Sequence, residues 1–407
     1  MLGDSSVSTA RGASSLPRVL LLVYRSNSLI HNYVCWYCSW SAWCMSKPFE
    51  TYRKCSSSIL RISLRSTTEA SSTRSFISMS KPFETYRKRS SSILTMPRRP
   101  PTEERLGQFD LAVRDFSDAI QLNPKSSQAF YNRAFTFMKQ NQLDLAVRDF
   151  SYAIELDPND VGSLLQRGEA YSNLNQLDLA IRDFSQAIEL EPNNVRALTL
   201  RGIARSGCNL HEQALNDFGT VIELDPDHPR SYFNRAVAHL QLDQLDLAIR
   251  DYSQVIRLDP NNVHALCNRG FAHQGLGQLD LAIRDYSQAL ELEPNNDEAL
   301  CNRAMAHQKL NQHHQAIQDF SRAIELAPTN SHAFANRGAE YLRRNQYEQA
   351  IQDTSRAIEL DPTNGNAWFN RAVAYSTLNQ HEQAARDFEQ AIALDPSLTE
   401  HVPEREQ

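Results

Sequence analysis

The chain has 407 residues and 41% hydrophobic residues, enough for more than one domain-sized core, and its seven scattered cysteines are too few for a disulfide framework. The formal net charge of −6 divides unevenly, because residues 1–102 carry 15 Lys and Arg against 4 Asp and Glu, whereas residues 103–407 carry 27 against 44. No apolar run approaches the roughly 18 residues that a membrane span needs, so we expect an intracellular, cytoplasmic protein that binds no membrane.

The basic N-terminal region, residues 1–102, is rich in Ser and Arg and poor in acidic residues. This composition predicts a disordered segment, with an organellar targeting segment as the alternative. A zinc site at Cys35, Cys38, Cys44 and Cys55 is disfavoured, because their spacing fits no standard zinc finger. The acidic remainder of the chain opposes nucleic-acid binding by this region, and we expect no nucleic-acid partner.

A period of 34 residues dominates the acidic region. Its prolines recur at that interval, at positions 124, 158, 192, 226, 260, 294, 328, 362 and 396. Each period contains two runs of helically spaced residues, which in the unit 263–296 are Leu266, Gly270, His273 and Leu276, then Leu281, Ala282, Tyr286 and Ala289. Gly275 and Gly277 break the chain between the two runs, and Pro294 ends the second. This pattern predicts a helix-turn-helix solenoid.

These units resemble the tetratricopeptide repeat. That family has a bulky residue at position 4, small residues at positions 8, 20 and 27, an aromatic residue at position 24 and Pro at position 32. The unit 263–296 matches it with Leu266, Gly270, Ala282, Tyr286, Ala289 and Pro294. The resemblance implies an all-α, right-handed superhelix with a concave groove lined by the first helix of each pair, because a single pair cannot bury its apolar face alone.

We divide the chain into the basic region, a half repeat that keeps only its second helix, eight full repeats and a tail. Their bounds are 1–102, 103–126 (the half repeat), 127–160, 161–194, 195–228, 229–262, 263–296, 297–330, 331–364, 365–398 and 399–407. The repeat 195–228 is degenerate, because Leu200 stands where most repeats have Asn and Gly219 interrupts its second helix. A helix-interior Gly costs about 1 kcal/mol relative to Ala, so we expect a soft joint there.

Two further departures concern the C-terminal repeats. Thr354 replaces the aromatic residue of its repeat, which predicts a weaker layer. The last repeat has no polar capping helix after it, so Phe388 and Ala391 are expected near an exposed apolar end. Self-association through this end is one prediction, and a frayed end is the alternative.

Residues 267–273, CNRGFAH, combine a thiol with a histidine, which suggests a nucleophilic site. However, Cys267 and His273 project about 240° apart on one helix and cannot form a hydrogen-bonded dyad. His239, His273 and His307 share position 11 of successive repeats, about 10 Å apart, which is too far for shared metal ligation. We therefore predict no enzyme activity, no metal and no cofactor.

An arginine at position 7 and an aspartate at position 23 occur in all eight repeats. The arginines are Arg133, Arg167, Arg201, Arg235, Arg269, Arg303, Arg337 and Arg371, and the aspartates are Asp149, Asp183, Asp217, Asp251, Asp285, Asp319, Asp353 and Asp387. The two positions lie almost opposite in an antiparallel helix pair, so the pattern predicts a repeated structural brace, of which Arg269–Asp285 and Arg303–Asp319 are examples.

An asparagine recurs at position 6, as Asn132, Asn234, Asn268, Asn302, Asn336 and Asn370. The family resemblance places this position on the concave groove, where it is similar to the asparagine ladder of O-GlcNAc transferase. A row of primary amides can bind the backbone of an extended peptide. The resemblance also implies a groove wall beside the ladder, formed by Tyr131, Phe135, Phe233, Cys267, Phe271, Cys301, Met305 and Phe369.

The resemblance therefore implies a non-catalytic scaffold that binds an extended peptide or a partner helix of unknown identity. Two alternatives stay open. One is a co-chaperone-like adaptor that clamps a peptide carboxylate, but such clamps need Lys at position 5 and Asn at position 9, and these positions hold mainly apolar residues here. The other is a non-catalytic subunit or targeting module of an enzyme complex, because function lies in sites rather than in the fold.

Overall fold

The structure, a computed structural model, describes residues 102–401, with side chains from residue 107 to residue 399. Over this range the chain forms seventeen α-helices, a short 3-10 helix and no strand. None of these helices is both long and apolar enough to cross a membrane. The predictions for the basic region up to residue 101, including those for its cysteines, lie outside the described residues.

The helices follow the 34-residue period of the sequence. The first, α1, spans Thr102–Leu122. The first helices of the eight pairs are α2 Ser127–Lys139, α4 Val161–Asn173, α6 Val195–Gly207, α8 Pro229–Gln241, α10 Val263–Gly275, α12 Asp297–Lys309, α14 Ser331–Arg343 and α16 Gly365–Thr377. The second helices are α3 Leu143–Leu156, α5 Leu177–Leu190, α7 His211–Leu224, α9 Leu245–Leu258, α11 Leu279–Leu292, α13 His313–Leu326, α15 Tyr347–Leu360 and α17 His381–Leu394. The 3-10 helix Pro396–His401 follows α17.

One residue in each pair reverses the chain between the two helices. Position 15 adopts a left-handed conformation in every repeat, with φ between 57° and 60° at Asn141, Asn175, Asn209, Asp243, Asn311, Asn345 and Asn379 and 73° at Gly277. Asn, Asp and Gly tolerate this conformation better than other residues. The turn therefore follows from an Asn, Asp or Gly at this one position, and it makes each pair antiparallel.

Side-chain caps fix the start of most first helices. In seven of the eight first helices, a backbone N–H of the first turn donates a hydrogen bond to the side chain of the capping residue. The capping residues are Ser126, Asp160, Asn194, Asn262, Asn296, Asn330 and Asn364. Such a bond satisfies one of the N–H groups that a helix start leaves without a partner. The exception is α8, where His228 gives no side-chain cap and Pro229 follows.

The small and aromatic positions form the core of each pair. In the repeat 263–296, Ala282, Tyr286 and Ala289 are fully buried. A Cβ at Gly270 would lie 2.9 Å from the Tyr286 ring, so the ring requires a small residue opposite it. Leu281, in contrast, is 45% exposed on its helix although it occurs at helical spacing.

Each second helix packs against the first helix of its own pair and against the first helix of the next pair, and α1 packs against α2. First helices of most neighbouring pairs also contact each other, most extensively α14 and α16. Equivalent residues of the first helices therefore form rows that run from repeat to repeat. The predicted all-α solenoid of stacked helix pairs is confirmed.

The C-terminal end differs from the exposed apolar surface that the sequence predicted. Phe388 is 8% exposed and Ala391 is fully buried. Phe388 packs edge-on against Phe369 of its own pair, with ring centres 5.5 Å apart. Leu398, in the 3-10 helix, is also buried. The expectation was wrong for these two residues, because the last pair and its surroundings already bury them.

Candidate functional site

The arginines and aspartates of positions 7 and 23 meet in all eight pairs. Each arginine donates two hydrogen bonds to its aspartate, from Nε and from Nη2, at distances of 2.6–3.1 Å. The aspartate side chains are at most 9% exposed. This bidentate geometry fixes both helices of a pair in one register. We refer to each such pair as a brace.

The brace continues into the preceding repeat. In seven of the eight braces, Nη1 of the arginine donates a hydrogen bond to a serine hydroxyl 3.0–3.3 Å away. The serines are Ser117, Ser151, Ser185, Ser253, Ser287, Ser321 and Ser355. Each serine precedes its arginine by 16 residues and lies in the second helix of the preceding unit. These serines recur at position 25 of their repeats, a regularity that is visible in the sequence but was not among the predicted site residues.

The electrostatics of the braces keep the arginines charged. Burial lowers the pKa of Arg167, but the hydrogen bond and negative charge of Asp183 outweigh it, so the pKa is raised above its ordinary value. The same balance raises the pKa of Arg337 and of Arg371. At Arg235 the hydrogen bond to its aspartate is the largest cause of the raised pKa. In these four braces the contact with the aspartate therefore favours the charged form of the arginine.

The six asparagines of the predicted ladder occupy one row on the first helices but differ in exposure. Asn132, Asn302 and Asn336 are half-buried, whereas Asn268 and Asn370 are buried. Asn234 is 3% exposed, and both atoms of its amide are buried without a hydrogen-bond partner. A partner in the groove would therefore meet the amides of the first three most directly.

The predicted groove-wall residues divide into two groups. Phe233 and Phe369 are buried and pack edge-on against the aromatic residue of their own pair, with ring centres 5.5 Å apart in both cases. The other six are half-buried: Tyr131, Phe135, Cys267, Phe271, Cys301 and Met305. Tyr131 stacks on Phe135 with ring centres 6.4 Å apart. Apolar surface thus remains accessible at the first full repeat and in the two repeats from 263 to 330.

Cys267 and His273 do not form a reactive pair. Burial raises the pKa of the Cys267 thiol to about 12, and the nearby acidic residues add to that shift. His273 has other neighbours: its Nδ1 lies 2.6 Å from Oε1 of Gln278, and its Nε2 lies 3.9 Å from Asp285. A thiol with this pKa is protonated at neutral pH and is a poor nucleophile.

The row of three histidines is packed against the braces. His239 and His307 repeat the contacts of His273, with Nδ1 facing Gln244 and Gln312 and Nε2 close to the brace aspartate. No group of three or more His, Cys, Asp or Glu residues in the described part of the chain could hold a metal ion. Each histidine therefore has a hydrogen-bond partner at Nδ1, and its Nε2 lies 3.9–4.0 Å from the brace aspartate.

A buried polar cluster at the joint of α13 and α14 was not foreseen. Glu340 is fully buried and replaces the small residue that the other repeats have at this position. Its Oε2 lies 2.7 Å from Nδ1 of His313. Four other repeats have Leu at the repeat position of His313. Arg343 Nε lies 3.6 Å from Oε1 of the same carboxylate. The two departures occur in neighbouring repeats and contact each other.

Comparison with known families identifies the repeats. The model of the tetratricopeptide repeat family matches residues 127–160, 163–194, 229–262, 263–296, 297–330, 332–364 and 365–398, more than half of the chain. The chain belongs to the tetratricopeptide repeat family. These tetratricopeptide repeat matches leave out residues 195–228, the unit that the sequence analysis described as degenerate.

Several solved tetratricopeptide repeat structures are similar to the chain. A fragment of MamA from Desulfovibrio magneticus RS-1 is 22% identical and covers 42% of this chain and 97% of its own, with a TM-score of 0.41. YrrB, described as a TPR protein with an unusual peptide-binding site, is 20% identical and covers 45% and 95%, with a TM-score of 0.41. A tetratricopeptide repeat protein from Parabacteroides merdae is 17% identical and covers 66% and 99%, with a TM-score of 0.49. No curated protein matches the chain.

Proposed function

We propose that the protein is a non-catalytic scaffold that holds an extended peptide of a partner protein against its first helices. The observation that carries this proposal is the recurrence of asparagine at one position of the first helices, in the first repeat and in the five consecutive repeats from 229 to 398, with Gln166 and Leu200 at that position in the two repeats between them. A primary amide both donates and accepts hydrogen bonds, so it can pair with a peptide group whatever the peptide side chain is. Such a row suits backbone recognition.

The half-buried apolar residues beside the row supply side-chain contacts. Phe271 and Met305 lie one turn after Asn268 and Asn302 on the same helices. A methionine and an aromatic ring accommodate different apolar side chains at little cost. We propose that these residues select apolar side chains in the peptide, whereas the amides hold its backbone.

We further propose that the chain has no catalytic role of its own and acts in the cytoplasm. Cys208, Cys267 and Cys301 are free thiols, which suits a reducing compartment. Burial raises the pKa of the Cys301 thiol to about 12, as for Cys267, so neither is an activated nucleophile. The alternative function, a carboxylate clamp, lacks the lysine that it needs at position 5. Peptide binding that depends on a free peptide C-terminus would favour the clamp over the asparagine ladder.

The test is peptide selection followed by measurement of affinity. Full-length protein selects binders from a displayed library of random peptides, and fluorescence anisotropy gives the Kd of each. We expect the double variant Asn302→Ala/Asn336→Ala to bind about tenfold more weakly, because each lost hydrogen bond contributes about 0.5–1.5 kcal/mol. These two asparagines are half-buried and lie in neighbouring repeats.

The matched control removes two amides from the same repeats on the other helices. Gln318 and Gln352 are exposed on α13 and α15. The variant Gln318→Ala/Gln352→Ala should change the Kd less than twofold. Equal affinities of the two double variants would contradict the ladder, and so would selected peptides that bind only through a free carboxyl terminus.

A further inference from the structure

The joint between α7 and α8 lacks a link that every other joint of the described pairs has. Elsewhere the brace arginine donates its Nη1 hydrogen to a serine of the preceding repeat. Here that position holds Gly219, and Arg235 makes its two hydrogen bonds to Asp251 alone.

The start of α8 lacks a second stabilising contact. The residue before it, His228, accepts no hydrogen bond from the backbone of the helix, whereas the other seven first helices have a capping side chain. The His228 ring faces the hydroxyl of Ser231 instead, with 2.8 Å between Nδ1 and Oγ. Pro229 fixes the backbone at the first helical position and has no N–H that needs a partner, but it supplies no acceptor for the next N–H groups of the helix.

Several buried polar atoms in the helices on either side of this joint have no hydrogen-bond partner, as do Glu340 Oε1 and Arg343 Nε at the α13–α14 joint. On the α6–α7 side these are Nε of Arg205 and Nδ1 of His211, and on the α8 side they are both amide atoms of Asn234. A buried polar group without a hydrogen bond gains stability when water reaches it. These atoms do not by themselves distinguish the joint; the missing serine link and the missing side-chain cap set it apart from the others.

The apolar contacts of the joint are nevertheless retained. Phe218 and Val221 of α7 are fully buried, and α7 packs against α8 as the other second helices pack against theirs. The joint thus keeps its core and loses polar links that would fix its angle. This combination permits rotation without separation of the helices.

We infer that the α7–α8 joint is the hinge of the solenoid, about which the helices α1–α7 and the helices α8–α17 move as two blocks. The hinge lies within the row of asparagines, between Leu200 and Asn234. Its motion therefore changes the spacing of groove residues on either side. Its existence does not depend on the proposed function, although its use in closing on a peptide does.

Hydrogen–deuterium exchange of the full-length protein tests the hinge. Peptides that cover α7 and the start of α8 are expected to exchange about threefold to tenfold faster than those that cover α9 and the start of α10, since one hydrogen bond and one cap are missing. Gly219→Ser restores the hydroxyl, and a Cβ at this position has no atom within 4 Å. This variant should slow exchange at the α7–α8 joint towards the rate of the other joints, with the difference due to the missing cap at His228 remaining.

Two variants separate the missing link from helix propensity. Gly219→Ala adds propensity without a hydroxyl, so it should slow exchange less than Gly219→Ser. Ser253→Gly removes the hydroxyl that accepts from Arg269 and should create a second soft joint between α9 and α10. If Gly219→Ala and Gly219→Ser slow exchange equally, or if Ser253→Gly leaves exchange unchanged, the missing link does not determine the hinge.

Pulsed electron paramagnetic resonance measures the motion itself. Spin labels on a non-canonical amino acid replace Glu189 and Glu291, which are exposed and lie on opposite sides of the joint. The control pair, Glu291 and Ala393, is equally far apart in sequence and does not span it. We expect a broader distance distribution for the first pair, which Gly219→Ser narrows. Equal widths for the two pairs would overturn the hinge whatever the protein binds.

Discussion

Replacing Arg269 by alanine is expected to lower the free energy of unfolding by about 3–5 kcal/mol, because it leaves the buried carboxylate of Asp285 without its charged partner. That carboxylate accepts hydrogen bonds of 2.8 and 2.7 Å from Arg269, and its side chain is 5% exposed. The arginine also donates to Ser253 of the preceding repeat, so the variant weakens a joint as well as a pair. Urea denaturation followed by circular dichroism measures the change.

Three companions make this prediction specific. Arg284→Ala removes an exposed arginine from the same repeat and should change stability by less than about 0.5 kcal/mol. Arg269→Lys keeps the charge but loses the bidentate geometry, so its loss of stability should lie between those of Arg284→Ala and Arg269→Ala. Replacing both Arg269 and Asp285 by apolar residues should cost less than Arg269→Ala. A cost below about 1 kcal/mol for Arg269→Ala would show that the brace does not hold the pair together.

The second large effect concerns the buried cluster around Glu340. The variant His313→Ala removes the group that lies 2.7 Å from this fully buried carboxylate and should cost about 2–4 kcal/mol, with Arg343 as the remaining charged neighbour. The double variant His313→Leu/Glu340→Ala installs the residue types found at the preceding joint, Leu279 and Ala306, and should match or exceed wild-type stability.

His381→Ala is the matched control for this cluster. His381 occupies the same position of the last repeat but is exposed, so its replacement should change stability by less than about 0.5 kcal/mol. Thermal unfolding of the four proteins at one pH measures the set. If the double variant loses as much as His313→Ala, the two residues are not coupled and the cluster does not act as a unit.

The sequence predicted those features that each repeat contains within itself. The turn needs one residue such as Asn311 or Gly277 at one position, and the core needs a small residue opposite an aromatic one, as with Gly270 and Tyr286. Both requirements recur every 34 residues and are visible in a single chain. The brace follows in the same way, because positions 7 and 23 lie in one pair.

Features that depend on neighbouring repeats were harder to predict. Asn234 and Asn302 share one position, yet the first is buried without partners and the second is half-buried, because different side chains surround them. The contact between His313 and Glu340 joins two repeats, and so does each arginine–serine bond. A comparison of the unusual residues in adjacent repeats would have suggested the contact between His313 and Glu340. The exposure of each asparagine, in contrast, depends on packing that cannot be seen in the sequence.

Backbone substitution in a bound peptide tests the asparagine ladder most directly. Each amide of a selected peptide is replaced in turn by an ester, which removes one N–H donor, and the Kd is measured with the full-length wild type and with Asn336→Ala. We expect at least one peptide position at which the ester weakens binding to the wild type but not to Asn336→Ala. The coupling free energy between that peptide N–H and Asn336 should be about 0.5–1.5 kcal/mol. Equal losses in both proteins at every position would contradict backbone recognition by Asn336.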